Sequence, residues 1–552
     1  MSELAQLIDR YYRAWFRFHP ETATDLDIEG YDHLLPPFDD DDLGALDSLN
    51  QKLLEALDAL DTTRLSPDQQ LDVTLMRGAA LLELEAAARH DWRHRDPLRF
   101  LPVNAIFQLT LRRLPERGEA MRARLRAIPR HLREARTFLR QAREAIPAPW
   151  LQMAIDESRQ GVVFLRELRQ HPQVIPLHVD AELESAGVAL NEYADFLARS
   201  IGERAQGDFA CGREHFDLLL RYRHGLDIDA DQLHALGERL YARVRDELLA
   251  ETRRLRGDTD VAAMADDIVR RHPPPDDLLG HYRTAMEAAR AFVADRDLLT
   301  LPDRECLQVV ETPVFLRHLI PFAAYREPPP GDPRQQGWYW VTPPADAAER
   351  AEHNRLAIRH VSVHEAWPGH HCHFVTANRN PVASTLPRLT NPSALCYEGW
   401  ALYCEQLMHE QGFLDAPESR FVLLRDRLWR VLRILLDVEL HTRGLGFEEA
   451  ASRLERELGF PPAQARAEIA WYTREPTVPM GYATGWALIT AARARLTGSG
   501  DGLSLKAFHD RLLAEGTIGL PWVLRRQFGE PLWQSLRRSL LDARQDADFL
   551  LE

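Results

Sequence analysis

The residues best suited to chemistry lie in one short stretch, His364 to His371, which reads His-Glu-Ala-Trp-Pro-Gly-His-His. Neutral imidazoles bind zinc, and a neighbouring carboxylate can take a proton from a water molecule that the metal activates. A His beside a Glu, with further His about two helical turns on, therefore predicts a hydrolytic zinc site. The alternative is a helix end with surface histidines, but six of the 22 His lie between His353 and His373, which favours a metal site.

The spacing departs from the common zinc-hydrolase motif, in which two His at i and i+4 share a helix face. Here Pro368 occupies the i+4 position and cannot bind a metal. In an unbroken helix His370 would point away from the face of His364, whereas His371 would return to that face about 10 Å further along. Because Pro lacks a backbone donor and Gly369 permits unusual dihedrals, we expect the Trp-Pro-Gly segment to bulge outward. His370 then becomes the second ligand, and His371 is the alternative.

The third ligand is expected in the next polar cluster, Tyr397 to Glu405, which reads as an apolar helix with two acids seven residues apart. That spacing places both acids on nearly the same helix face. Glu398 follows His370 by 28 residues, enough for a turn and an antiparallel helix that returns a carboxylate to the metal. Glu405 is better placed to hydrogen-bond a His ligand. The alternative is an exposed acid, but an acid on a buried helix face costs free energy unless it is paired or binds a cation.

Together these clusters resemble the bacterial domain of unknown function 885 family. The resemblance extends over nearly the whole chain and is carried by His364 to His371, Glu398-Gly399-Trp400-Ala401-Leu402-Tyr403, His19-Pro20-Glu21-Thr22-Ala23-Thr24, Gly337-Trp338-Tyr339-Trp340, and Phe508-His509-Asp510 with Gly516. It implies a mostly helical fold related to zinc metallopeptidases whose third ligand is Glu. Several family members are described as lipoproteins, whereas we expect no lipoprotein signal in this chain.

The resemblance also implies roles outside the two clusters. In related metallopeptidases a small sheet lies over the zinc helix, and its edge strand pairs with the substrate backbone; Trp338 to Val341 is a candidate for that strand. The alternative is an internal strand whose aromatic residues fill the core. Glu-type zinc peptidases stabilise the transition-state oxyanion with a Tyr or His near the C-terminal end, so Tyr482 and His441 are the candidate catalytic donors. Tyr482 could instead be a core residue with its hydroxyl at the edge.

Helical periodicity dominates the rest of the chain. Apolar residues recur at intervals of three and four in Glu3 to Phe18, Asp42 to Leu60, Asp68 to Ala88, Leu132 to Ala145, Ala181 to Arg199, Ala230 to Leu255 and Asp276 to Ala294. The strand candidates precede the His motif, at Leu307 to Val310, Val314 to Leu316 and Gly337 to Thr342. We predict a mainly α, two-lobed, multi-helix fold with a small β-sheet next to the zinc-site helix. An N-terminal helical scaffold would span residues 1–300, and a catalytic region with the sheet and zinc site would span residues 301–552.

Composition and charge narrow the class of protein. The chain has 552 residues, 45% of them hydrophobic, and a net charge of −16, which argues against a nucleic-acid partner. The N-terminal residues lack a secretory signal pattern, and no apolar run approaches the roughly 20 residues that span a bilayer. The five Cys are few and odd in number, as in proteins with reduced thiols. We therefore expect a cytoplasmic protein without a membrane partner.

These observations predict a zinc-dependent hydrolase, in the first instance a metallopeptidase that acts on short peptides. His364, His370 and Glu398 would bind the zinc ion, and Glu365 would be the general base. By analogy with related peptidases, a cleft between the lobes would favour short peptides or small amides over folded proteins. Two alternatives remain: a metal-dependent hydrolase of nonpeptide amides or esters, and a noncatalytic metal-binding helical protein, for which Glu365 would have no use.

Overall fold

The computed structural model describes residues 2–111, 116–317, 320, 322–497 and 502–542, and the chain divides into two compact units. Unit 1 comprises Met1–Phe209 and Pro313–His318, and unit 2 comprises Ala210–Thr312 and Leu319–Glu552. We predicted a division by role, with a scaffold over residues 1–300 and a catalytic region over residues 301–552. That division stays a prediction. Among the described residues, no helix combines the length and apolar character needed to cross a bilayer.

Unit 1 is helical throughout its described part. Its α-helices α1 to α8 are Glu3–Trp15, Pro20–Asp25, Asp40–Ala59, Pro67–Arg89, Val103–Leu111, Arg117–Gln141, Ala148–Leu168 and Asp180–Phe196. Helix α4 shows how local sequence sets a helix start: Ser66 and Gln69 form a capping box, and Pro67 occupies the first turn. Both features satisfy or remove backbone donors that a helix start leaves unpaired.

Unit 2 contains the remaining α-helices and the small sheet. Helices α9 to α24 are Arg213–Tyr222, Ala230–Arg256, Val261–Arg271, Leu278–Asp295, Ala347–Glu352, Arg355–Glu365, His370–Arg379, Leu386–Leu389, Ala394–Glu410, Ser419–Thr442, Phe447–Leu458, Pro462–Arg474, Gly481–Thr497, Leu505–Leu513, Leu520–Phe528 and Glu530–Leu536. The prediction of a mainly α fold with a small β-sheet is confirmed. Each of the seven predicted helices is present, although α6 begins at Arg117 rather than Leu132, because its Arg-rich first half hides the apolar periodicity.

The sheet has the strands β1 (Cys306–Glu311), β2 (Ala323–Arg326) and β3 (Gln336–Val341), in the order β1-β3-β2. Strand β3 is parallel to β1 and antiparallel to β2, so that Tyr339 lies opposite Val309 on one side and Tyr325 on the other. Because β3 has a strand on each side, its backbone cannot pair with a substrate, and the prediction of an edge strand at Trp338 to Val341 is wrong. The alternative of an internal strand is confirmed, since Tyr339 and Trp340 are buried.

The segment Val314–Leu316 is a 3-10 helix, so the prediction of a strand there is wrong. Pro313 precedes it, and the fixed φ of proline favours a turn at this point. The Phe315 ring packs on Phe107 and Phe164 in unit 1, with ring centroids 5.0 and 4.3 Å apart. Tertiary packing therefore overrides the β propensity of this short apolar run.

Helices α17 and α21 approach each other unusually closely, and this contact positions the candidate site. A Cβ on Gly485 would lie 2.0 Å from the carbonyl oxygen of Leu395, and one on Gly399 would lie 2.5 Å from the Cα of Gly485. Only glycine leaves room for two backbones at that distance. Glu398 directly precedes Gly399 on α17, and Tyr482 lies about one helical turn before Gly485 on α21, so the contact brings both side chains to the same part of the molecule.

Candidate metal centre

The His motif is divided between two helices instead of lying on one. Helix α14 ends at Glu365, and α15 begins at His370. The Trp-Pro-Gly segment is therefore a connection between two helices, which corrects the predicted outward bulge within one helix. Only glycine fits at position 369, because a Cβ on Gly369 would lie 1.8 Å from the carbonyl oxygen of His364. The Trp400 indole donates a hydrogen bond to the Pro368 carbonyl, at 2.9 Å, and holds the connection against α17.

This connection brings three predicted ligands together. One ligand atom each from His364, His370 and Glu398 lies within 4.8 Å of the other two. Glu398 Oε2 is 3.5 Å from His364 Nε2 and 3.2 Å from His370 Nε2. Their side chains are only 7, 8 and 12% exposed, so water screens the cluster poorly. The structure thus places the two imidazoles and the carboxylate around one point.

His371 lies outside this cluster, although it is adjacent to His370 in sequence. Its Nε2 is 3.1 Å from Glu305 Oε2, and its Nδ1 is 3.1 Å from the Tyr325 hydroxyl. The ring therefore donates to the carboxylate and accepts from the tyrosine, which occupies both nitrogens. The geometry supports His370 as the second ligand over the alternative His371.

The two His in the cluster differ in the support of their second ring nitrogen. His364 Nδ1 donates to Glu405 Oε1 at 2.7 Å, as predicted for the second acid of α17. This bond leaves Nε2 of His364 facing Glu398, as a donor while the ring carries a proton and as the ligand atom if a metal ion takes the place of that proton. His370 Nδ1 is buried and has no hydrogen-bond partner within the described part of the chain.

The charges around the cluster favour a cation at its centre. Burial lowers the pKa of His364, but the carboxylates of Glu398 and Glu405 outweigh burial and raise that pKa to about 10. Burial raises the pKa of Glu398, but His370 and His364 outweigh it and bring that pKa below its usual range. Burial raises the pKa of Glu365, and Glu398 adds to this effect while both His oppose it. Around the cluster, carboxylates outnumber permanently charged cations. A divalent metal ion would balance this negative charge, which a proton on His364 otherwise balances.

The donor set and its dimensions fit zinc. Two imidazoles and one carboxylate are a ligand set that catalytic zinc sites use, with a fourth position left open. Two ligand atoms about 2.0–2.1 Å from a tetrahedral zinc ion lie roughly 3.4 Å from each other. The two nitrogen-to-oxygen separations of 3.5 and 3.2 Å lie on either side of that value. Glu398 Oε2, moreover, is buried without a hydrogen-bond partner among the described residues, which is the state expected of an atom that awaits a metal.

Tyr482, one of the two predicted donors, lies at the cluster. Its ring stacks on His364, with centroids 6.4 Å apart and planes 13° from parallel. Burial raises the pKa of its hydroxyl, and the nearby Glu398 carboxylate raises it further, so the group stays protonated. The Arg433 guanidinium lies 4.5 Å from the centre of the Tyr482 ring, a contact that stabilises the position of the ring.

His441, the other predicted donor, does not face the cluster, and the structure corrects that assignment. Its Nε2 donates to the Tyr472 carbonyl at 3.0 Å, and its Nδ1 accepts from the Cys211 backbone N–H at 3.3 Å. His441 follows Arg433 on α18 by eight residues, which places it about 12 Å further along the helix axis. Its ring therefore ties backbone segments together within the core of unit 2.

Sequence reasoning missed the groups that hold the site residues in place. Arg433 pairs with Glu468 at 3.0 Å, and the sequence does not single it out, because α18 carries four other arginines. Tyr325 on β2 lies parallel to the His370 ring, with centroids 6.2 Å apart and planes 18° from parallel. Glu305, which binds His371, precedes β1 directly. Neither Tyr325 nor Glu305 carries a local signal, because distant parts of the chain bring each to its partner.

Comparison with known proteins gives the family of this fold. The sequence profile of a bacterial family, described as "Bacterial protein of unknown function (DUF885)", matches residues 20–527. The chain belongs to this family. The DUF885 profile spans both motif clusters and both units, so the resemblance predicted from the motifs is confirmed at the level of the family. No curated protein matches the chain.

Two solved structures have the same fold. A "putative lipoprotein of unknown function" from Shewanella oneidensis is 21% identical, with a TM-score of 0.77 over 95% of this chain and 100% of the other. A "putative lipoprotein" from Colwellia psychrerythraea is 18% identical, with a TM-score of 0.76 over 98% of this chain and 99% of the other. At these identities the likeness shows the fold alone. Both relatives are described as lipoproteins, and this finding overturns the cytoplasmic location expected from the sequence.

Proposed function

We propose that this DUF885 protein is a zinc-dependent hydrolase that cleaves short peptides. The observation that carries the proposal is the convergence of His364, His370 and Glu398, with Glu365 directly after the first of them. Zinc bound by these side chains would activate a water molecule and polarise the carbonyl group of a substrate. The same ligand types occur in Glu-type zinc metallopeptidases, which supports peptides as the substrate class.

Glu365 has the position and the acidity of a general base. It ends α14 directly after a proposed ligand, so its side chain leaves the helix about 100° from that of His364, and the charges of His364, His370 and Glu398 all act on its carboxyl group. Burial raises the pKa of its carboxyl, which brings a proton acceptor nearer to neutral pH. In the proposed reaction Glu365 accepts a proton from the attacking water and passes it to the departing amine.

Tyr482 is the proposed donor for the oxyanion. A carbonyl oxygen under attack gains negative charge, and a fixed neutral hydroxyl nearby stabilises that charge. The Tyr482 hydroxyl stays protonated because burial and Glu398 raise its pKa. Stacking on His364 and the Arg433 contact keep the ring oriented, so the donor needs no rearrangement during the reaction.

A metal assay combined with a peptide screen tests the proposal. We expect about one zinc ion per chain, and hydrolysis of short peptides that a chelator abolishes and added zinc restores. The screen uses peptides of several lengths with free and blocked termini. Hydrolysis that resists complete metal removal would contradict the proposal. Turnover of amides or esters without turnover of any peptide would instead identify a nonpeptide hydrolase.

A further inference from the structure

One arginine near the candidate metal centre has an unusual environment. Arg223 directly follows α9 and is half-buried, and within the described part of the chain its guanidinium has no hydrogen-bond or ion-pair partner. Burial lowers the pKa of its side chain, with Glu475 and Tyr397 opposing this effect. By contrast, Arg221 is 61% exposed and pairs with Asp227 at 3.5 Å. Two neighbouring arginines of the same segment thus differ in solvation and in pairing.

The backbone of Arg223 is fixed close to the site by the next residue. His224 is fully buried, and its Nδ1 is hydrogen-bonded to the Ser393 hydroxyl at 2.8 Å. Its Nε2 is hydrogen-bonded to the Thr477 hydroxyl at 3.0 Å. Ser393 immediately precedes α17, and Thr477 lies shortly before α21. Arg223 is therefore held at the starts of the two helices that carry Glu398 and Tyr482.

Tyr397 connects Arg223 with the metal ligands. The Tyr397 ring lies 6.0 Å from the His370 ring, measured between centroids. Tyr397 also lies close enough to Arg223 to act on the charge of its guanidinium. Tyr397 thus lies within electrostatic reach of the ligand cluster and of the unpaired guanidinium. A substrate bound at the cluster would have to extend past Tyr397 to reach Arg223.

The other arginines nearby have partners. Arg433 binds Glu468, and Arg430 donates to the Asp426 carbonyl and lies 4.1 Å from the Trp429 ring. A guanidinium withdrawn from water without a carboxylate costs free energy that a ligand carboxylate would recover. Arginine matches a carboxylate with two parallel hydrogen bonds. Arg223 is therefore a cation close to this site that remains available to an anionic group.

We propose that Arg223 binds a carboxylate of the substrate, so that the site acts on peptides close to a free C-terminus. This inference rests on the proposed hydrolase function and adds a substrate class to it. Water adds across the scissile amide and its C–N bond breaks. The water oxygen enters the new carboxylate of the longer fragment, and the amine of the released fragment takes the proton.

Binding measurements test the carboxylate preference independently of turnover. The zinc-loaded Glu365→Gln variant is titrated by calorimetry with two N-acetylated peptides that have the same uncharged side chains. One ends in a free carboxylate, and the other ends in an amide. We expect the amide to bind roughly 10- to 100-fold more weakly, because it loses a charge-assisted pair. Equal affinity for the two peptides would overturn the inference, and this comparison needs no change at Arg223.

Variants then assign the preference to one residue. Arg223→Gln, made in the same background, should lose the discrimination between carboxylate and amide, and Arg223→Lys should keep part of it. Arg221→Gln is the matched control and should discriminate as the parent does. Zinc content and circular dichroism check that each variant is folded. Full discrimination in a folded Arg223→Gln protein would contradict the assignment.

Two further experiments distinguish a C-terminal carboxylate from a side-chain carboxylate, and binding from hydrolysis. An amidated peptide with a Glu side chain tests the other source of a carboxylate; if it alone binds tightly, the substrate is acidic and the C-terminal assignment is wrong. Hydrolysis of free and amidated peptides at equal rates would leave the hydrolase proposal intact and overturn this inference. A carboxylate preference in binding, with no hydrolysis of any substrate, would support Arg223 and contradict the peptidase.

Discussion

The second nitrogen of each imidazole decides which His can bind a metal. His364 donates from Nδ1 to Glu405, and His371 donates from Nε2 to Glu305. The difference is the remaining nitrogen, which faces Glu398 in His364 but accepts from the Tyr325 hydroxyl in His371. Two His of the same motif therefore have different surroundings, because their rings have different partners.

Metal content should follow this difference. His364→Ala, His370→Ala and Glu398→Ala should each lose zinc, because a site with three protein ligands rarely survives the loss of one. His371→Ala should keep close to one zinc per chain, since its ring only supports β2 and the start of β1. Elemental analysis after dialysis measures the content. Zinc retained in His370→Ala and lost in His371→Ala would transfer the ligand role to His371.

Catalysis should require Glu365, whereas zinc binding should not. Glu365→Gln keeps the size of the side chain and removes the proton acceptor, so zinc should stay bound while kcat falls by roughly 10² to 10⁴. Steady-state hydrolysis of a cleaved peptide, with zinc content measured on the same sample, checks this. Undiminished turnover by the zinc-loaded variant would exclude Glu365 as the base.

At the scale of single residues, the sequence predicted the features that depend on residue type and on spacing along the chain. The types and order of His364 and His370 predicted that these two side chains come together, and an acid on an apolar helix predicted that Glu398 joins them. The sequence could not separate Tyr482 from His441, because both are polar residues on buried helices. Only the packing of α18 and α21 shows that one ring stacks on His364 while the other binds backbone groups.

At the scale of elements, the contact between α17 and α21 fixes the distance between Glu398, the proposed ligand, and Tyr482, the proposed oxyanion donor. Gly399 and Gly485 face each other, and Gly481, one turn before Gly485, packs on Ala394 in the same way. Small residues one turn apart let two helix backbones meet, as in tightly packed helix pairs. Side chains next to these glycines are therefore held with little freedom.

A larger residue at this contact should displace Tyr482 without unfolding the protein. Gly485→Ala should destabilise the protein by about 1–3 kcal/mol, because the added methyl meets the Leu395 carbonyl, and kcat should fall while zinc stays bound. Chemical denaturation and peptide hydrolysis measure the two effects. Gly187→Ala is the control: nothing lies within 4 Å of its Cβ position on α8, so stability should rise by about 0.5–1 kcal/mol. A Gly485→Ala protein as stable and active as the parent would contradict the close contact.

The elements also show where sequence reasoning stops. Long helices were predictable because their apolar residues repeat over many turns. Short segments were not: Val314–Leu316 forms a 3-10 helix, and Ala323–Arg326, which was not predicted, forms β2. Strand order depends on pairing between segments far apart in the chain, so the sequence around Trp338 could not reveal that β3 is central.

At the scale of the whole molecule, the candidate metal centre belongs to unit 2 alone. Its ligands come from α14, α15 and α17, and its donor comes from α21. Three helices that share one ion are joined by bonds that the metal-free chain lacks. Metal binding should therefore stabilise unit 2 locally, beyond any effect on catalysis.

Hydrogen exchange with and without zinc should reveal this local stabilisation. At a free zinc concentration about 100 times the Kd, bound metal adds about 2.7 kcal/mol to the folded state. Slower exchange is expected in α14, α15 and α17, where opening must break the metal site, and unchanged exchange in α6 of unit 1, which supplies no ligand. The His370→Ala variant is the control, because zinc should leave its exchange unaltered. Equal protection of α6 and α14 by zinc, or protection that persists in His370→Ala, would place the metal elsewhere in the molecule.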